Sequence, residues 1–537
     1  MNELSSASGR DCRSQIIIAA LIAILILCYT SFFLQGLRLF DNDYNQWLTY
    51  ALEGSFPEIL ADVFNPFLKE WNVDFRPTET FVFKILYSLF GYNASGYYYF
   101  KSLAAALLGA AYFLFLSRYL RSTAVAVACA VFIGLASSTF TSLYWVSDFV
   151  IVSELLALVV FWIFLKIDLS ENPTRARLII SFVAIFLLTL IADRTKANAK
   201  LIPAIIFIYI IVTGAGRLKR YWPLLAVVGV TLVPIAYMLK HPSLPFLSAG
   251  GSTVEAHAWQ PATSAKLWLL FGKGFEPLSL SYATHPPISI LSVLGFPIVY
   301  LAIAGFAYLL YKCLTKKSAE ECGAFIGNTE AIKKRRVVIF ISIWAAVNTL
   351  ALMSYPTLPD HFQARYAISV LVALLPLLLL IIKTAVEKIS RKKLAGAAVV
   401  SILVIIQLGF HYGHTVRMRS GMPSFIIALD KTREYIETNY RGKVFYFQNI
   451  PAFRYRPGEE RNTIVTSLSE PDAVVAARKR GIRPSELYVV MDRDVKDPTL
   501  RLIKAFPGRS DSLFGNVYNS GEKPKFKTTL FLYRMNF

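Results

Sequence analysis

Residues 15–37 read QIIIAALIAILILCYTSFFLQGL, and no charge interrupts them. A helix needs roughly 20 apolar residues to cross the hydrocarbon core of a bilayer, so this stretch reads as a membrane span. No A-x-A-like cleavage site follows it, and acidic residues dilute the basic start. It therefore reads as a retained signal anchor rather than a removed leader. Working outward, similar runs recur at 97–117, 122–141, 148–166, 177–192, 200–214, 221–239, 288–311, 336–354, 367–384 and 395–413. The fold class is then a polytopic α-helical membrane protein with about 11 transmembrane helices. Composition agrees, because 55% of the 537 residues are hydrophobic and only 17% are charged, outside the usual range of water-soluble chains.

The formal net charge of +21 would suit a nucleic-acid partner, but the basic residues alternate with the spans. That pattern expresses topology, and no nucleic-acid partner is expected. Arg118 and Arg121, then Lys166, Arg175 and Arg177, then Arg217, Lys219 and Arg220, then the KKRR at 333–336, and finally Lys388, Arg391, Lys392 and Lys393 all fall on one side. The positive-inside rule makes that side the cytoplasm. The N-terminus is then inside and the C-terminal tail outside, in a multi-pass protein of the inner (plasma) membrane. The five cysteines (Cys12, Cys28, Cys129, Cys313 and Cys322) have no metal-ligand spacing, and none lies in the tail. A disulfide-stapled exported domain is therefore not expected.

Two domains follow. Residues 1–413 form the transmembrane domain, with long outer loops at 37–96 and 241–287, and residues 414–537 form a small extracytoplasmic α/β domain. In the first loop, PEILADVF places Ile59, Leu60, Val63 and Phe64 at helical spacing, as in a short helix lying in the interface. The second loop contains SAGGSTVEAHAW, whose glycines and polar run read as a loop. In the tail, PDAVVAARKRG is helix-like, whereas KVFYFQ, ELYVVM and TTLFLYRM are strand-like. Asn93-Ala-Ser matches the N-glycosylation acceptor pattern, a short motif that is given little weight by itself.

Several charges contradict the loop bias, and charges at membrane depth are functional candidates by default. LFDNDYNQW (39–47) sets Asp41 and Asp43 where the first span emerges on the outside. They read either as a helix-end cap in water or as a general base or metal-ligand pair, since adjacent carboxylates repel and favour a shared cation or a raised pKa. Asp148 closes SLYWVSD, and Glu154 follows it. One of them suits a span cap and the other a polar cavity. Among the bases, Arg76 lies in DFRPTET, Arg194, Lys196 and Lys200 in ADRTKANAKLIP, and His361 and Arg365 in PDHFQARYAIS, all assigned to the outside. A single base there reads as snorkelling to lipid phosphate. Three outer clusters suit the binding of a phosphate or diphosphate head group.

The order of these elements resembles the GT-C superfamily of polyprenyl-phosphate-dependent glycosyltransferases. The likeness rests on an outer D-x-D after the first span, an interfacial helix, the R-P of FRPTETFVFKILYSLFG, the DRTKANAKLIP stretch and ARY (364–366). It is similar to protein O-mannosyltransferases and to the aminoarabinose transferases of lipid A, over roughly residues 15–390. Departures are Thr78 in place of a leucine after R-P, and Ala197 in place of an acid after Lys196. The tail resembles nothing in that family. The resemblance implies inverting transfer of a hexose or pentose from a polyprenyl-phosphate donor to a lipid, glycan or protein acceptor in the outer leaflet. It assigns Asp41 as the base, Asp43 as its support, and Arg76, Lys196 and Arg365 to the donor phosphate. A divalent cation (magnesium or manganese) held by Asp41 and Asp43 is an open option.

Two alternatives use the same residues. A transporter or flippase of a lipid-linked sugar predicts broken helices and related halves, and no pair of Gly/Pro-interrupted spans stands out. A glycan ligase or polymerase would use His257 and His285 in the 241–287 loop.

Overall fold

The computed structural model describes residues 2–35, 54–64, 76–91, 93–120, 122–144, 148–170, 173–196, 201–214, 218–229, 329–354, 368–420, 424–440, 443–447, 463–465, 487–491, 493–508 and 529–535, with Ala51, Ala199 and Arg483 besides. The expected span at 288–311, the loop at 241–287 with His257 and His285, and the helix-like PDAVVAARKRG lie outside the described residues.

The described helices of the bundle are α1 (Asn2–Leu34), α4 (Ala94–Leu120), α5 (Thr123–Leu135), α6 (Ser137–Tyr144), α7 (Val150–Asp168), α8 (Arg175–Asp193), α9 (Leu201–Thr213), α10 (Leu218–Gly229), α11 (Thr329–Ser354), α12 (Ile368–Ser390) and α13 (Lys393–Ser420). Two further helices, α2 (Phe56–Phe64) and α3 (Pro77–Phe90), lie between α1 and α4. Among the described residues, six helical stretches are long and apolar enough to cross a membrane: 13–34, 94–120, 123–144, 150–168, 175–193 and 368–390. The protein is a multi-pass helical membrane protein on this ground.

The bundle centres on α4, α5 and α6. Of the most apolar window, 67% is buried in 94–120 and 71% in 123–144, against 28% in 13–34 and in 175–193. The first two therefore pack inside and the other two turn toward lipid. Glycines make this close approach possible. Ile26 of α1 is fully buried, and a Cβ at Gly109 or Gly134 would lie 2.2 or 2.1 Å from its Cδ1. The expected single span at 122–141 is instead broken at Ala136, whose φ −63° and ψ 145° are extended. The hydroxyl of Thr139 donates to the Ile133 carbonyl (2.5 Å), satisfying a group that the break exposes.

Local chemistry sets the short helices. Ser55 and Glu58 form a capping box at α2: the Ser55 N–H donates to Glu58 Oε2 (2.8 Å), and the Glu58 N–H to Ser55 Oγ (3.4 Å). Helix α2 stands where the spacing of Ile59, Leu60, Val63 and Phe64 placed a short amphipathic helix. Only Ile59 and Val63 are buried, while Phe56, Leu60 and Phe64 are exposed. One stripe of the helix thus packs on protein and another is left for the interface. Helix α3 stops at Gly91, where φ is +54° and the N–H caps the Tyr87 carbonyl (2.7 Å). Asn93 accepts from the Ser95 N–H (3.1 Å) and so helps start α4.

In the tail, α14 (Ser424–Asn439) lies on a five-stranded mixed sheet. Its strands β1 (Val444–Phe447), β2 (Thr463–Val465), β3 (Leu487–Met491), β4 (Leu500–Pro507) and β5 (Thr529–Met535) run in the order β2-β1-β3-β5-β4. Strands β1, β2 and β3 are parallel, and β5 is antiparallel to β3 and β4. Central β3 is buried throughout. Tyr488 and Val490 face α14, whereas Leu487, Val489 and Met491 join Tyr533 on the other side. The three strand-like stretches read from sequence are β1, β3 and β5.

Candidate functional site

The R-P pair starts the site. Proline restrains the residue before it to extended backbone, and Arg76 has φ −126° and ψ 76° with Pro77 opening α3. Three residues on, Glu79 returns to the same face, and Arg76 Nη1 meets its Oε2 at 3.3 Å. Glu79 is fully buried, and its second oxygen has no hydrogen-bond partner among the described residues.

The start of α3 docks on the DRTK turn that ends α8. The Thr78 N–H donates to the Arg194 carbonyl (3.3 Å), and its hydroxyl to the Ile191 carbonyl (3.1 Å). The turn is internally bonded: the Thr195 and Lys196 N–H groups both donate to the Ala192 carbonyl (3.0 and 3.1 Å). This aims Lys196 at Asp148, with Nζ 3.0 Å from Oδ1. Asp148, itself buried, also accepts from the Val150 N–H (3.3 Å) at the start of α7, where a negative charge complements the helix dipole.

Four charges of alternating sign therefore gather from three distant segments: Arg76, Glu79, Lys196 and Asp148. Burial pushes the Glu79 carboxyl up to about 7, against the downward pull of Arg76 and Lys196, with the Asp148 charge pushing the same way as burial. Arg194 turns to the other side of the turn, toward Asp193 (4.0 Å) and Asp62 of α2. Burial lowers its pKa and raises that of Asp62.

Beneath Asp148 lies a buried cation that the sequence reading did not single out. Lys101 of α4 donates to the Ser142 carbonyl (2.7 Å) in the last turn of α6 and stands 5.7 Å from the Phe149 ring centre. A cation at a helix C-terminus offsets part of its desolvation cost. Glu154 lies further down α7, about 6 Å beyond Val150 at helical rise. It accepts a hydrogen bond from Ser369 of α12, whose carbonyl accepts from Asn348 (3.0 Å). Asp148 thus stands at the start of α7 and Glu154 within the bundle.

Asp41, Asp43, Lys200, His361 and Arg365 lie outside the described residues. The structure brings together Arg76, Lys196 and Asp148, with Arg194 on the flank, and leaves Glu154 in a separate contact. Glu79 was missed; its signal was an acid at i+3 from Arg76 entering an apolar stretch. Among the described residues, no group of three His, Cys, Asp or Glu side chains is placed to hold a metal ion.

The chain matches no family model, and no curated protein matches it. Among solved structures it is similar to the crystal structure of ArnT from Cupriavidus metallidurans bound to undecaprenyl phosphate. The alignment covers 96% of this chain and 97% of that one, at 14% identity and a TM-score of 0.49.

Proposed function

We propose that the protein is an integral-membrane glycosyltransferase that moves a sugar from a polyprenyl-phosphate donor to a lipid, glycan or protein acceptor at the outer face. The observation that carries the reading is the meeting of Arg76 and Lys196, from segments 120 residues apart, around one buried acid at one end of the bundle. The Lys196–Asp148 pair lies at the start of α7, and Lys166 and Arg175 lie at the far ends of α7 and α8. Nineteen residues of helix separate the two ends by about 28 Å, close to a hydrocarbon core. The cations of the site are thus the ones that the loop charges assign to the outside.

A sugar leaves a polyprenyl phosphate as the phosphate gains negative charge. Fixed guanidinium and ammonium groups stabilise that charge more in the transition state than in the ground state. Arg76 and Lys196 take this role, with Arg365, Lys200 and His361 as further contacts. Asp41 takes the proton of the acceptor hydroxyl, and Asp43 supports it. If the reaction uses a magnesium or manganese ion, Asp41 and Asp43 would be its ligands.

The test is transfer of a labelled sugar from a polyprenyl-phosphate donor by the purified protein. Asp41→Asn is expected to lower kcat by about 10²–10⁴-fold. Arg76→Ala and Lys196→Ala are expected to raise the donor KM by roughly 10-fold to 100-fold each. Wild-type rate in Asp41→Asn would remove the base assignment, and unchanged donor affinity in both cation variants would remove the phosphate site. The transporter or flippase alternative draws on the break at Ala136. Movement of a lipid-linked sugar across liposomes without product would favour it.

A further inference from the structure

Arg76 is held by Glu79 and Lys196 by Asp148, so the two cations that would take a phosphate are already neutralised from within. The two internal carboxylates are not equivalent. Asp148 is anchored twice, by Lys196 and by the Val150 N–H. Among the described residues, Glu79 has the long 3.3 Å contact to Arg76 as its one hydrogen bond, and its other oxygen is buried with no hydrogen-bond partner. A fully buried, half-satisfied carboxylate is costly unless it stays paired or takes up a proton.

We infer that Glu79 is a proton-linked positioning residue: as a carboxylate it occupies Arg76, and as a neutral acid it releases Arg76 to an anionic phosphate head group. This rests on the donor-phosphate reading above. The balance is simple. The entering phosphodiester carries one negative charge into the pocket, Glu79 takes one proton from solvent, and no bond other than O–H is made. Glu79 is neutral below about 7 and anionic above it, so head-group affinity falls as the pH rises through that value. The charged groups facing Glu79 are Arg76 on its own helix, Lys196 on the turn after α8 and Asp148 ahead of α7. Of the other charges nearby, Lys84 is bonded to the Ala51 and Gly54 carbonyls, Lys101 to Ser142, and Glu58 and Asp62 of α2 face Lys84 and Arg194.

The experiment measures binding of methyl farnesyl phosphate, a diester with no ionisation near neutrality, to the detergent-solubilised full chain between about pH 6 and about pH 9. In the wild type, Kd is expected to rise by up to about tenfold per pH unit above neutrality. Calorimetry in buffers of different ionisation enthalpy is expected to show net uptake of close to one proton per ligand at about pH 8. Glu79→Gln, which mimics the neutral acid, keeps tight binding and changes Kd by less than about twofold over the same range. A wild-type Kd that does not change with pH, no proton uptake, or an equally steep profile in Glu79→Gln would overturn the proposal while leaving the donor site standing. The proton-uptake measurement needs only the wild type, so it decides even if the variant does not fold. No binding of the diester at any pH would overturn the donor-site reading and this inference with it.

Discussion

Asp148 and Lys196 are 48 residues apart in sequence and 3.0 Å apart in space, and both are largely shielded from water. Removing one partner of such a pair strands the other as a buried charge, which costs roughly 3–5 kcal/mol. Lys196→Ala is therefore expected to lower thermal stability, and adding Asp148→Asn is expected to restore most of it without restoring donor affinity. Thermal unfolding in detergent beside donor binding separates the two effects. Equal stability of the wild type and Lys196→Ala would show that the pair is not buried as described. The two residues were legible as candidates because their charges sit at span ends against the loop bias. Their pairing was not, since no spacing rule links positions on different helices. Glu79 escaped notice for a related reason. Within FRPTETF it reads as an ordinary acid in the first turn of a helix, and only its complete burial makes it unusual.

Helix α1 packs through Ile26 into the space left by Gly109 of α4 and Gly134 of α5. Adding a branched side chain there is expected to force apart helices that the rest of the core holds close. Gly134→Val should destabilise the protein by about 1–3 kcal/mol, and Ile26→Ala in the same chain should recover part of that loss. Thermal unfolding of the single and double variants checks it; additive losses would mean that the two sites do not share the space. Apolar run length located most described spans to within a few residues, because in lipid a helix must satisfy its own backbone. The break at Ala136 was not visible, since TAVAVACAVFIGLASSTF has no proline and its glycine precedes the break by two residues. Ser137, Ser138 and Thr139 follow it, and side chains of this kind offer the backbone alternatives to helical bonds. At α2 the spacing predicted the helix correctly, and it showed that the helix is amphipathic but not which of its apolar residues pack on protein.

Across the molecule, the site end and the basic end are opposite ends of α7 and α8. The second is marked by Lys166 and Arg175 and by Asp168, which accepts hydrogen bonds from Tyr209 (2.7 Å) and Tyr221 (3.0 Å). The charge rule then predicts that Ser390 and Arg391 face the cytoplasm and the tail faces outward. In a chain lacking its five native cysteines, Lys496→Cys should react with an impermeant maleimide from outside, and Ser390→Cys only after permeabilisation. The reverse pattern would invert the topology and remove the outer-face site. The α/β character of the tail was legible in KVFYFQ, ELYVVM and TTLFLYRM, but β4 was not, because as an edge strand it exposes most of its residues. The central claim is that a polyprenyl phosphate docks its head group between Arg76 and Lys196. The direct measurement is photo-crosslinking of the full chain with a polyprenyl phosphate bearing a diazirine beside the phosphate, followed by peptide mapping. The account predicts adducts on the peptides around residues 76–79 and 194–196, lost in Lys196→Ala. Adducts confined to the Lys388–Lys393 end, or unchanged by that substitution, would contradict it.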